Sequence, residues 1–139
     1  MVRNAAHGQR LLASAAALLA LATIAGAVGA HALPHDWSDL RVHVYGVAVR
    51  YQFYQSLGLL GMGLWLNYRP SVEGPAATRR IAASGRSSAR TLLSGIVLFS
   101  GSLYALCLGA PRWVGVLTPI GGGLMIVAWL TFAFVLWRS

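Results

Sequence analysis

Four stretches of this chain carry no charged side chain, and they dictate the class of fold. They are Leu11–Ala30 (20 residues), Tyr51–Tyr68 (18), Thr91–Pro111 (21) and Trp113–Trp137 (25). A helix needs about 20 mainly apolar residues to cross a hydrocarbon core roughly 30 Å thick. Three of the runs suit that length. The second is the weakest, since it holds Gln52, Gln55, Ser56 and Asn67. It can borrow length from Gly46–Arg50, with the Arg50 side chain reaching back to the interface. The fourth is longer than needed, so it should tilt or begin in the headgroup layer near Thr118-Pro119. No segment alternates polar and apolar residues over about ten positions, as a membrane barrel strand requires. The helix is left, because it satisfies its own backbone in lipid.

Composition points the same way. Charged residues are 10% of the 139 and hydrophobic residues 57%, whereas an average soluble protein is roughly 25% charged. Mean hydropathy is +0.63. A water-soluble domain of this size cannot hide so much apolar surface. The chain therefore reads as an all-α polytopic membrane protein, a four-transmembrane-helix bundle in one domain over 1–139. Its spans are expected near 11–31, 48–68, 90–110 and 115–137, with a basic inner loop at 69–89.

The net charge is +8, carried by 11 basic residues that are all Arg. Most of them sit between or beside the apolar runs, which is the pattern of topology signals. A continuous basic groove with interleaved aromatics is missing, so nucleic acid is not an expected partner. With the N-terminus inside, the inner segments hold Arg3, Arg10, Arg69, Arg79, Arg80, Arg86, Arg90 and Arg138, and the outer ones Arg41, Arg50 and Arg112. That bias places both termini in the cytoplasm. A rival reading treats Arg3, Arg10, the Ala/Leu-rich run and Ala30-His31-Ala32 as a secretory signal peptide with its cleavage site. The apolar run is longer than the usual signal core of about 7–15 residues, which favours a retained span.

The linker Asn67–Arg90 is rich in Pro, Gly, Ser and Arg. It reads first as a loop obeying the charge rule. Alternatively, Arg79, Arg80, Arg86 and Arg90 form a basic helical lead into the third span, lying against anionic lipid. Ala22, Gly26 and Ala30, with the glycines of the other spans, suit close helix packing in lipid.

Topology gathers polar groups at the outer side. His31 ends the first span, and Tyr51, Gln52 and Gln55 fall in the outer half of the second. Ser100, Ser102 and Tyr104 leave the third outward, and Thr118 opens the fourth. These eight form the candidate cluster, either as inter-helix hydrogen bonds or as a ligand site, the first being preferred. His31, His35, Asp36, Asp39 and His43 superficially suggest a metal site, but Pro34 interrupts the helix between the first two histidines. No metal or cofactor is expected. No span contains an acidic residue, which disfavours a carboxylate proton relay. The lone Cys107 has no partner for an intrachain disulfide.

Gly29-Ala30-His31-Ala32-Leu33, Tyr51-Gln52, Leu98-Phe99-Ser100-Gly101-Ser102-Leu103-Tyr104 and Thr118-Pro119-Ile120-Gly121-Gly122 resemble the YgdD-like membrane proteins, a family of unknown function that includes transmembrane protein 256 of animals. The resemblance spans about residues 11–137. It implies a four-helix protein of the bacterial inner membrane or its mitochondrial counterpart, with the first span retained and no catalytic activity. One departure stands out: where the family usually has a His after the Tyr-Gln pair, this chain has Gln55. A role for that imidazole as base or ligand is put in doubt, while a hydrogen-bonding role survives. The expected function is a non-enzymatic accessory or assembly subunit packing against a larger membrane complex. The alternative is a binding or transport module taking a lipid, quinone or small solute at the outer cluster.

Overall fold

The computed structural model describes the backbone of residues 2–68 and 76–139, and the side chains of 8–68, 76 and 79–139. Among the described residues are four long helices: α1 (Val2–His31), α2 (Asp39–Tyr68), α3 (Ala76–Cys107) and α4 (Leu117–Trp137). A short 3-10 turn, Arg112–Val116, leads into α4. The segments Gly8–His31, Arg79–Cys107 and Arg112–Trp137 are long and apolar enough to cross a membrane. α2 matches them in length at 30 residues but not in apolarity, because Gln52, Gln55, Ser56 and Asn67 lie along it.

Each helix boundary has a local cause. α1 stops at His31, three residues before Pro34, whose ring bars the preceding residue from helical geometry. α2 starts at Asp39 behind Ser38, whose hydroxyl accepts the Arg41 N–H at 3.3 Å, while Asp39 favours the positive end of the helix dipole. α3 closes on Gly109 at φ 94°, a left-handed turn that only Gly adopts readily. There Ala110 N–H donates to Ala105 O at 2.9 Å and Gly109 N–H to Leu106 O at 3.1 Å, the paired bonds of a Schellman cap.

Two boundaries differ from the sequence expectation. α2 begins at Asp39 rather than near 48. Residues 76–89, expected as a loop, belong to α3; residues 69–75 of that expected loop lie outside the described residues. Ser and Gly read as loop formers in isolation, but Ala and Arg between them are good helix formers. Packing decides the matter: Gly85 lies directly under Trp65 and Leu66, and Ala89 is fully buried.

The helices run antiparallel in sequence order. Gly8 meets Asn67 and Gly63 meets Leu12, so α1 and α2 are opposed. Gly85 beneath Trp65 opposes α2 and α3, and Gly95 against Gly121 opposes α3 and α4. Both ends of the chain therefore share one end of the bundle, called here the terminal end. Close backbone packing joins α1 to α2, α2 to α3 and α3 to α4. α2 and α4 meet through large side chains instead, with Trp65 and Phe132 edge-on at 5.4 Å.

The apolar core sits in the terminal half. Leu11 and Ala15 meet Leu59 and Met62 there, with Leu92, Ile96, Met125 and Phe132 completing it. Outward, Leu21, Ile126 and Leu130 are each more than half exposed. A face of that kind needs lipid around it. The other half of the bundle holds polar side chains.

Candidate functional site

The polar half is organised around Gln52. Its side chain is only 5% exposed, and a buried amide must find partners. Its Nε2 donates to Leu18 O of α1 at 2.9 Å, and its Oε1 accepts from Tyr104 Oη of α3 at 2.9 Å. One side chain thus ties three helices. The Ser100 hydroxyl donates to Ala48 O at 3.0 Å, a second link from α3 to α2.

Toward the end away from the termini, the site continues as a ladder of rings. Tyr104 lies edge-on to Tyr45 at 5.5 Å, and Tyr45 edge-on to Trp37 at 6.0 Å. The Tyr45 hydroxyl donates to Ala25 O at 2.7 Å. The Arg41 guanidinium covers the Trp37 ring at 4.2 Å and donates from Nε and Nη2 to Cys107 O. The Cys107 thiol in turn reaches Arg41 O at 3.6 Å. Cys107 is the last residue of α3, so its carbonyl has no partner within the helix, and the cation suits the negative end of the helix dipole.

The eight residues expected as one cluster fall into separate groups. Gln52, Ser100 and Tyr104 meet where α1, α2 and α3 converge. Ser102 and Thr118 pair with each other at 2.7 Å across α3 and α4. Gln55 accepts from Trp129 Nε1 at 2.7 Å, tying α2 to α4. Tyr51 packs on Phe99 at 4.9 Å. His31 is exposed, and its imidazole makes no hydrogen bond among the described residues. Sequence reasoning missed Arg41, Trp37, Tyr45 and Trp129. The indole of Trp129 gave a usable signal, because an N–H deep in an apolar run needs an acceptor. Ser56 was counted only as a weakness of the second span. It is fully buried, and its hydroxyl is without a partner among the described residues.

Beside this network α1 and α3 stand apart and leave a groove of about 680 Å³. Its walls are apolar: Leu21, Ile24 and Val28 on one side, Val97, Gly101 and Leu108 on the other. Tyr45, Gln52 and Tyr104 form its polar floor. The volume lies within the range of roughly 300–1,000 Å³ typical of small-molecule sites. Gln52 keeps a second Nε2 hydrogen, and both tyrosine hydroxyls keep acceptor lone pairs. The groove can therefore take an apolar chain and offer it a few hydrogen bonds.

Long apolar helices, lipid-type exposed faces and polar groups turned inward define an integral membrane protein. The chain belongs to the family described as "Protein of unknown function (DUF423)", whose model matches residues 25–122. It is 39% identical over 120 residues to a UPF0382 membrane protein of Staphylococcus epidermidis, covering 86% of this chain and 87% of the relative. It is 34% identical over 120 residues to YwdK of Bacillus subtilis, covering 86% and 88%. The inner membrane protein YgdD of Escherichia coli is 33% identical over 104 residues, covering 75% and 71%. These relatives agree with the YgdD-like resemblance. No solved structure matches the chain.

Proposed function

We propose that this protein is a four-span, non-enzymatic protein of the inner membrane that holds the apolar chain of a lipid or quinone between α1 and α3. The groove with its Gln52–Tyr104 floor carries this reading. α2 is the fourth span in it: the Gln52 amide is bonded inside the bundle and the Gln55 carbonyl accepts from Trp129 of α4, which lowers their cost to lipid. Arg10, Arg79, Arg80, Arg86, Arg90 and Arg138 stand at the terminal end, against Arg41, Arg50 and Arg112 at the other. The positive-inside bias supports cytoplasmic termini in this reading.

Gly101 supplies the test, because a side chain added there meets no atom within 4 Å and projects beside the groove. A photoreactive acyl-chain lipid should label α1 and α3 residues of the groove in the wild type, and Gly101→Leu should remove most of that label without loss of fold. Labelling spread evenly over all four helices would overturn the reading. A second reading, an accessory or assembly subunit of a larger complex, is favoured by Gly61 and Gly123, which have no neighbour within 4 Å and leave room for a partner helix. Its test is a stoichiometric partner recovered in mild detergent and lost in Gly61→Leu and Gly123→Leu.

A further inference from the structure

A second hollow, of about 190 Å³, lies between the same two helices near the terminal end. Arg10, Leu11 and Ser14 of α1 and Arg86, Arg90 and Leu93 of α3 line it. The two spaces share one seam. Along α1, Arg10, Ser14, Leu18, Leu21, Ala25 and Val28 follow one another at steps of three or four. Arg86, Arg90, Leu93, Val97, Gly101 and Tyr104 do the same along α3. Residues at that spacing occupy one helix face. The small basic hollow thus lies on the same seam as the apolar groove, nearer the terminal end.

Three arginines line so small a space that it is strongly positive and suits an anion. The acidic residues among those described, Asp36 and Asp39, are both at the opposite end of the bundle. Arg presents a planar fork that matches phosphate oxygens, and the Ser14 hydroxyl adds one more donor. Basic pockets between membrane helices suit anionic headgroups.

Resting on the groove reading above, we infer that the Arg10–Arg86–Arg90 hollow holds the phosphate of an anionic glycerophospholipid whose acyl chain lies in the α1–α3 groove. The dimensions agree. From Arg90 to Gly101 the helix rises about 16 Å at about 1.5 Å per residue, close to half of a core roughly 30 Å thick. A lipid of the leaflet at the terminal end, with its phosphate at Arg90, ends its chain beside Gly101. A free phosphate ion could use the arginines but leaves the groove unused, so the lipid is the occupant proposed. Arg79 and Arg80, exposed like Arg10 and Arg90, line neither space.

The experiment is native mass spectrometry of the full chain after exchange into neutral detergent with equal phosphatidylglycerol and phosphatidylcholine. The wild type should retain phosphatidylglycerol about tenfold over phosphatidylcholine, equivalent to about 1.4 kcal/mol. The Arg10→Gln, Arg86→Gln, Arg90→Gln variant should lose the preference yet still carry lipid. Arg79→Gln with Arg80→Gln should keep it, and Gly101→Leu should lose both lipids. Equal retention of the two lipids by the wild type overturns the headgroup site and leaves the groove reading standing. Retention of neither lipid sinks both. The same loss of preference in both Arg variants also overturns the inference, since it marks bulk charge and not this hollow. So does a thermal stabilisation by inorganic phosphate equal to that by phosphatidylglycerol. If the triple variant fails to fold, Arg86→Gln and Arg90→Gln read singly must each reduce the preference, and an unchanged preference in both overturns it.

Discussion

At Gly121 the α4 backbone lies so close to α3 that an added methyl would stand 2.4 Å from Phe99 N and 2.9 Å from Gly95 O. Neither atom can rotate aside, since both belong to helix backbone. Overpacking of this kind costs about 1–3 kcal/mol, and here the helices must part to admit it. Gly121→Ala should therefore lower the unfolding temperature in detergent clearly, while Gly123→Ala, with open space around it, should not. Tyr104→Phe removes the donor to Gln52 Oε1 and should cost about 0.6–2 kcal/mol. Arg41→Ala should fray the end of α3, read as faster amide exchange from Leu108 to Ala110. Gln52, Ser100 and Tyr104 were legible as neighbours because chain topology alone puts them at one depth. The Arg41–Cys107 clasp was not. It depends on how α2 is rotated against α3, and helices apolar on most faces give no periodic signal of rotation.

The apolar runs located all four helices, since in lipid length and lack of charge leave the backbone one choice. They did not locate the ends of α2 and α3. Hydropathy reports where lipid begins, whereas a helix continues for as long as its propensity and packing allow. Residues 79–90 illustrate the difference: they are rich in Arg and Ser, yet Ser88 bonds Thr131 at 2.9 Å and Gly85 sits under Trp65. Amide exchange across 82–90 should be slow, as for a packed helix. Gly85→Leu should detach this segment from α2 and raise its exchange rate toward that of free chain. The groove itself lay beyond the sequence, because it is defined by two helices that are not close packing neighbours.

At the scale of the whole molecule, pairing between sequence neighbours fixes the topology. Reporters fused after Ser139 should be active only in their cytoplasmic form, and the same should hold at the N-terminus; activity of a periplasmic reporter at either place would overturn the arrangement. The same pairing has a consequence for biogenesis. Each helix after the first packs directly against the one made just before it, so most close helix contacts join neighbours in sequence. Low contact order favours fast assembly. A nascent chain released as far as Tyr68 holds both partners of the α1–α2 hairpin, so that pair can form before α3 and α4 emerge. The last helix then completes the early hairpin by supplying Trp129 to Gln55 and Phe132 to Trp65.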